Sequence, residues 1–463
     1  MFTLHQSERI ALLDDGGDRF SYVELNKFIK DHRDYVPPRS FIFVLCENKA
    51  TLLAWVLTML EAGAVPLLLS KTIDQDLLAS LINIYKPSHL FVSKKESLPY
   101  KVNFSLNDYT LYQVSDQRPE LHPDLELLLS TSGSTGSPKL VRFQRGVLEN
   151  NARNVSEAFD LKPTDVHAAT LPLNYVMGLN ALLSHLYVGA RILLSDANIM
   201  DQALWDFLRS EGATNFTGVP FSYEVMVRLG LKRLKIPSLN TLYQGGGKLR
   251  DELFQKMAQM AKDENARFIA TYGTTETSAR CSYLEADKAL EKTASIGKAI
   301  PGVSLSLVDE AGQKILSPHR EGELVVQGNN VTFGYAYKAT DLIKGDEFGG
   351  TYHTGDLAYF DEEGYFFIVG RKKRFVKLLG NRVGLDECEM ILKNKGFLNT
   401  ACLGQDDLLM IITADPEALT DVVRELSSTL GMHQSLFKAH YVQNIPLLDN
   451  GKTDYRSLEA SLL

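Results

Sequence analysis

Short apolar runs alternate with helix-spaced apolar positions between residues 40 and 300. FIFVLCEN (41–48) predicts a strand, TLLAWVLTMLEAG a helix closed by Gly63, and AVPLLLS the next strand. Further strands are expected at ELLLS (126–130), ARILLSD (190–196), TNFTGVP (214–220), NTLYQGG (240–246) and ARFIATYG (266–273). This rhythm argues for α/β layers with largely parallel strands. Several of the strands run straight into Gly- or Thr-rich loops. Open α/β sheets place ligands there, beyond the carboxyl ends of their strands.

The texture changes near residue 300. VSLSLVDEAGQKI, GELVVQG and LAYFDEEGYFFIVG alternate with period two around DEAG and DEEG turns, so they predict β-hairpins. After GRKKR (370–374) comes a small region of mixed helix and strand patterns ending in NIPLLDNGKTDYRSL. The expected fold is therefore α/β: a large N-terminal domain (1–370) of layered α/β sheets, with a β-rich subdomain over about 300–370. A small α+β C-terminal domain (371–463) follows.

The 463 residues are 44% hydrophobic and 23% charged, an ordinary globular composition, so several substantial cores are expected. A net charge of −8 argues against a nucleic-acid partner. The N-terminus lacks the basic-then-apolar order of a signal peptide, and the apolar stretch 51–69 is broken by Glu61, Gly63 and Pro66, so no membrane span is expected. Cys46, Cys281, Cys388 and Cys402 stand far apart, which fits reduced thiols in a cytoplasmic protein. No Cys-x-x-Cys or His-x-x-x-His pair marks a transition-metal site.

Candidate chemistry centres on STSGSTGSPK (130–139), directly after an apolar strand. Thr131, Ser132, Gly133, Ser134, Thr135 and Gly136 combine hydroxyl donors with glycines that let backbone N–H groups approach phosphate oxygens, and Lys139 supplies charge. It is not a Walker loop, because Leu140 follows the lysine and only two residues separate the glycines. Taken alone, a solvated Ser/Gly turn remains open.

Four further segments follow in order: TYGTTE (271–276), YHTGDL (352–357), GRKKRFVKLLGNRV (370–383) and NGK (450–452). With FSYVELN, LPLNYVMGL, VPFSYEV, YQGGGKL and GELVVQGNN, this series resembles the adenylate-forming superfamily. That superfamily comprises acyl-CoA synthetases, aryl-CoA ligases, luciferases and the adenylation domains of peptide synthetases, and the resemblance covers nearly the whole chain. It implies that ATP and a small carboxylic acid give an acyl-AMP, with Mg²⁺ as cofactor, before acyl transfer to a thiol of CoA or of an acyl or peptidyl carrier protein.

The resemblance also implies residue roles. Lys139 and its loop would hold the β- and γ-phosphates. Tyr272 would lie against the purine beside Gly273 and Thr274, Thr275 would meet the α-phosphate, and Glu276 would take Mg²⁺, which favours hard oxygen ligands. Asp356 would accept from the ribose hydroxyls, and Arg371 would meet the ribose and phosphate region. Gly245, Gly246 and Gly247 match a loop beside the adenine and the acyl pocket. Lys452 matches the lysine that contacts carboxylate and α-phosphate during adenylation. Lys373 falls at the hinge about which the C-terminal domain turns between half-reactions, bringing Lys377 and Gly380 beside the acceptor tunnel.

The chain departs from the pattern at several points. The substrate motif reads Pro172-Leu173-Asn174-Tyr175-Val176-Met177-Gly178, with Tyr175 in place of a usual histidine. Val176 stands where amino-acid-activating relatives carry an aspartate for the α-ammonium, and valine cannot pair a buried cation. An acid without a free α-amino group is expected, in a pocket lined by Tyr175, Val176, Met177, Gly178, Tyr223 and Gln244. Plain core packing is the other reading for Met177 and Tyr223. Arg145 and Tyr455 also replace a usual histidine and arginine, and the region after Arg374 is short, which counts against CoA as acceptor and leaves a carrier-protein phosphopantetheine thiol open. Transfer to an amine or hydroxyl is one alternative. A nucleotide-binding module without turnover is another.

Overall fold

A computed structural model describes residues 4–461 apart from 117, 131–138, 373, 379–380, 406 and 449–451, together with the side chains of all but 232, 377, 381, 382 and 405 of these. Among the described residues an eight-stranded sheet and a fourteen-stranded sheet dominate. The smaller has a parallel centre of Phe41–Cys46, Val65–Ser70, His89–Ser93 and Leu125–Ser130. The helix Ala50–Glu61 is apolar nearly all round and is enclosed, with Trp55 fully buried. Ser21 caps the helix Tyr22–His32 in a reciprocal capping box with Glu24.

The larger sheet contains a parallel run of Ile10–Asp14, Arg191–Leu194, Val166–Ala169, Asn215–Gly218, Thr241–Gln244 and Arg267–Tyr272. All the strands expected before residue 300 are present, in parallel pairs. Pairing turns antiparallel through Ser282–Leu284 and Ser295–Ala299 and continues into the hairpin strands Thr351–Phe360 and Phe366–Arg371. The sheet thus carries the catalytic candidates of TYGTTE and YHTGDL on one continuous framework.

One difference from the sequence expectation is a hairpin of Lys101–Leu106 and Tyr109–Gln113. Its turn is Asn107-Asp108, with φ +46° and +62°, the left-handed pair that a two-residue hairpin of this twist demands. Asparagine and aspartate tolerate that conformation better than most side chains.

Beyond Arg371 the chain builds a hairpin of Phe375–Leu378 and Asn381–Gly384, the helix Leu385–Asn394, and a sheet of Thr400–Gln405, Leu408–Thr413 and Phe437–Tyr441. Val376, Leu392, Ile411, Val422 and Phe437 pack together in a cluster drawn wholly from this region. All four cysteines are buried and unpaired. Among the described residues no helix is long and apolar enough to cross a membrane.

Candidate active site

The strand Thr241–Gln244 ends in Gly245-Gly246-Gly247, and the three glycines are there for space. A Cβ on Gly245 would come within 2.7 Å of Met177 Sδ and 2.6 Å of Thr271 Oγ1. Gly246 has φ +76°, and a Cβ there would meet the Tyr175 hydroxyl at 2.5 Å. Gly247 packs on Pro220. Gln244 Nε2 donates to Gly247 O at 2.7 Å, and Thr271 Oγ1 donates to Gln244 O at 2.9 Å, which fixes the loop to the neighbouring strand. Tyr175 and Met177 are thereby brought against the glycine loop, with Val176 and Gly178 beside them at the start of the helix Val176–Val188. Tyr223 is fully buried one layer behind, beside Gly218.

The turn after Arg267–Tyr272 is held in a costly conformation. A Cβ on Gly273 would overlap the Ala279 carbonyl at 1.7 Å, so only glycine fits. Ser278 and Ala279 both have left-handed backbones, φ +56° and +87°, an arrangement that persists only when neighbours enforce it. Asn330 Nδ2 donates to Thr277 O at 2.9 Å, Ser278 Oγ donates to Asn330 O at 2.9 Å, and Asn151 donates to Ser278 O. Thr274 precedes a single turn, Thr275–Thr277, which carries Glu276.

Glu276 and Asp356 are both buried, and each is met by a phenol. Tyr335 donates to Glu276 Oε1 at 2.6 Å, and Tyr272 donates to Asp356 Oδ2. Lys139 Nζ lies 4.0 Å from the centre of the Tyr335 ring, which places the lysine next to the Glu276 cluster. Arg371 Nε pairs with Asp356 Oδ1 at 2.6 Å. Burial raises the Asp356 pKa, with Arg371 and Tyr272 opposing it. Burial also works against the Arg371 charge, but Asp356, Tyr272, Tyr352 and Glu276 outweigh it and its pKa rises.

Lys452 completes this cluster from the far end of the chain. It sits where Leu447 bridges Thr453 and Leu448 N donates to Lys452 O at 2.8 Å. It interacts electrostatically with Arg371, Asp356 and Glu276. Lys452 keeps contact with solvent. Crowding of its ammonium by protein, then the Arg371 charge, draws its pKa below the ordinary lysine value; Asp356 and Glu276 pull the other way.

The structure therefore gathers Lys139, Tyr272, Glu276, Asp356, Arg371 and Lys452 around one place, and Tyr175, Met177 and the glycine loop around another. Thr131, Ser132, Gly133, Ser134, Thr135, Gly136, Lys373 and Gly380 lie outside the described residues, as does the Lys377 side chain. Tyr455 turns away from the site: its hydroxyl donates to Glu389 Oε2 at 2.8 Å, and its ring lies 3.7 Å from the Arg374 guanidinium carbon. Tyr335 escapes a sequence reading, because a lone tyrosine carries no spacing that links it to Glu276.

The two large sheets and the C-terminal module form the fold of adenylate-forming enzymes. Bacillus subtilis o-succinylbenzoate CoA synthetase, solved with the acyl-adenylate OSB-AMP, superposes with a TM-score of 0.79 at 18% identity, covering 98% of this chain and 95% of that one. ATP-bound MatB from Rhodopseudomonas palustris gives 0.78 at 20% identity, covering 99% and 97%. The family model for the AMP-binding enzyme matches residues 4–336, and the chain belongs to that family. Among curated relatives, a 2-succinylbenzoate–CoA ligase of Bacillus cereus is 30% identical over 323 residues, 69% of this chain and 61% of that protein. The L-proline–[L-prolyl-carrier protein] ligase of Streptomyces coelicolor is 30% identical over 357 residues, 73% of this chain and 67% of that protein. The matched region thus spans less than two thirds of the Bacillus cereus relative's length.

Proposed function

We propose that the chain is an ATP- and Mg²⁺-dependent ligase that joins a small carboxylic acid to AMP, releases pyrophosphate and hands the acyl group to a thiol. The observation that carries this reading is the gathering of Lys139, Glu276, Asp356 and Arg371 around one place, with Lys452 within electrostatic reach of the last three. A carboxylate attacking an α-phosphate brings two anions together, and the protein's task is positioning and positive charge. Lys452 supplies that charge where it develops, an effect worth several kcal/mol in a preorganised site. Lys139 and the loop 131–138 hold the outer phosphates, Thr275 meets the α-phosphate, and Tyr272 lies along the purine.

Asp356 receives the ribose hydroxyls. Its two oxygens already accept from Arg371 and Tyr272, and each keeps a further lone pair for a sugar hydroxyl. Glu276 is the residue that would hold Mg²⁺. Its carboxylate is a hard oxygen donor next to Lys139, and with Oε1 already accepting from Tyr335 it suits an ion that keeps most of its waters. When bound, the ion neutralises phosphate charge as pyrophosphate departs.

Residues 371–463 act as a mobile domain hinged near Lys373, which withdraws Lys452 after adenylation and presents Lys377 and Gly380 to the acceptor. Relatives named as CoA ligases and as a carrier-protein ligase support CoA or a carrier-protein phosphopantetheine as that acceptor. Four buried unpaired thiols fit a cytoplasmic location. The test is ATP–pyrophosphate exchange over a panel of carboxylic acids. Acid-dependent exchange supports the reading; nucleotide binding without exchange for any acid replaces it with a module that does not turn over.

A further inference from the structure

Arg280 is 2% exposed, and among the described residues no carboxylate pairs with it. Nη1 donates to Asn180 Oδ1 at 2.7 Å, and Nη2 donates to Thr217 Oγ1 at 3.2 Å. The Nε–H has no hydrogen-bond partner. Two neutral acceptors therefore serve a group with five donors. The guanidinium carbon lies 5.3 Å from the centre of the Phe159 ring and 5.9 Å from that of Tyr243, which stabilises the cation only in part.

Burying a charge without a counter-ion is unfavourable, so a buried guanidinium with an unsatisfied N–H calls for a functional reason. The surroundings point the same way. The hydroxyl of Tyr243 is also buried without a partner. His167 and His185 stack beside each other with ring centres 4.1 Å apart. Burial holds both imidazoles neutral at ordinary pH, with His185 pushed down to about 4, so neither adds a second positive charge beside Arg280. Burial lowers Arg280 only to about 10, so it stays cationic near neutrality.

The position of Arg280 ties it to the acid pocket. Asn180 lies on the helix whose first turn carries Val176 and Met177, and Thr217 lies on the strand ending at Gly218. The Gly218 carbonyl accepts from Gly245 N at 3.1 Å, and Gly245 and Gly246 close on Met177 and Tyr175. Arg280 is thus held by the helix that carries Met177 and by the strand on which the glycine loop closes, with the Tyr175 and Tyr223 phenols within electrostatic reach of its charge.

We propose that Arg280 anchors a second anionic group on the substrate, so that the acid is a dicarboxylate: one carboxylate is adenylated while the other pairs with the buried guanidinium. This rests on the adenylation reading. The Nε–H donates to the distal carboxylate, and Asn180 and Thr217 hold the guanidinium plane in place. The same cation repels the ammonium of an amino acid, which reinforces the choice of Val176.

The test is ATP–pyrophosphate exchange with matched pairs: straight-chain dicarboxylic acids of increasing length, each against the monocarboxylic acid of the same length and against its half-amide. The expected result is at least a tenfold higher kcat/KM for one dicarboxylate over both partners, expressed mainly in KM. Arg280→Gln should bring that ratio near unity while leaving KM for ATP unchanged, and Arg280→Lys should restore part of it. If the variants fail to fold, the wild-type pairs decide alone. A wild-type preference for neutral tails overturns the role of Arg280 and leaves adenylation standing. Exchange with no acid at all overturns adenylation, and the dicarboxylate assignment with it.

Discussion

Arg371 Nε lies 2.6 Å from Asp356 Oδ1, and the two residues are register partners across one hairpin. The pairing gives Asp356 a counter-charge inside the protein while Tyr272 holds its other oxygen. A nucleotide ribose would meet a carboxylate already fixed in place.

That arrangement separates Asp356 from Glu276 by experiment. Asp356→Ala removes a charge-assisted partner worth ~1.5–3 kcal/mol, so ATP affinity should fall roughly 10- to 100-fold, with no recovery in excess magnesium. Glu276→Gln should lose activity and regain part of it as magnesium is raised. The measurement is the KM for ATP across a magnesium titration; identical responses of both variants would mean these roles are wrongly assigned.

Gly273→Ala should cost about 2–4 kcal/mol of stability, since its Cβ overlaps a backbone carbonyl that no rotamer change can move. Gly345→Ala is the control: its Cβ would meet only His122, at 3.8 Å, and its backbone does not need a positive φ. Urea melts of the two variants give the comparison. Equal midpoints would show that the turn around Glu276 relaxes freely.

The parallel strands and their glycine-rich ends were legible in the sequence because short β-branched and aliphatic runs bounded by Gly, Thr and Pro have few other solutions. The cluster of Glu276, Asp356, Arg371 and Lys452 was legible only as motifs in order; nothing in the spacing of 276, 356, 371 and 452 states that they meet. Arg280 shows what stayed hidden. TSAR reads as an ordinary polar turn, and only burial without a counter-ion makes the arginine informative. Tyr455 shows the converse, since its departure from the family pattern belongs to packing against Glu389 and Arg374.

Val176, buried at the head of its helix, offers no partner to an α-ammonium. Each α-amino acid should therefore compete in exchange far more weakly than its deaminated analogue, by an order of magnitude or more. Paired competition measures this, and preference for any α-amino acid would require a carboxylate partner elsewhere in the pocket.

The lowered pKa of Lys452 predicts a pH profile. Lysine is charged below its pKa, so adenylation should hold at neutral pH and fall as pH rises through a value below the ordinary 10.5. Lys452→Arg should move that alkaline limb upward, because guanidinium stays protonated. Coincident limbs for the two proteins would assign the titration to another group.

The most direct test of the account separates the half-reactions of Lys452→Ala. Adenylate formation, followed by exchange, should fall by about two orders of magnitude or more, as expected when a transition-state charge contact is lost. Thioester formation from pre-formed acyl-adenylate should remain within about tenfold of the parent, because the proposed mechanism uses the lysine only in the first step. Equal loss in both half-reactions, or no loss in the first, would contradict the assignment of Lys452 as the adenylation lysine.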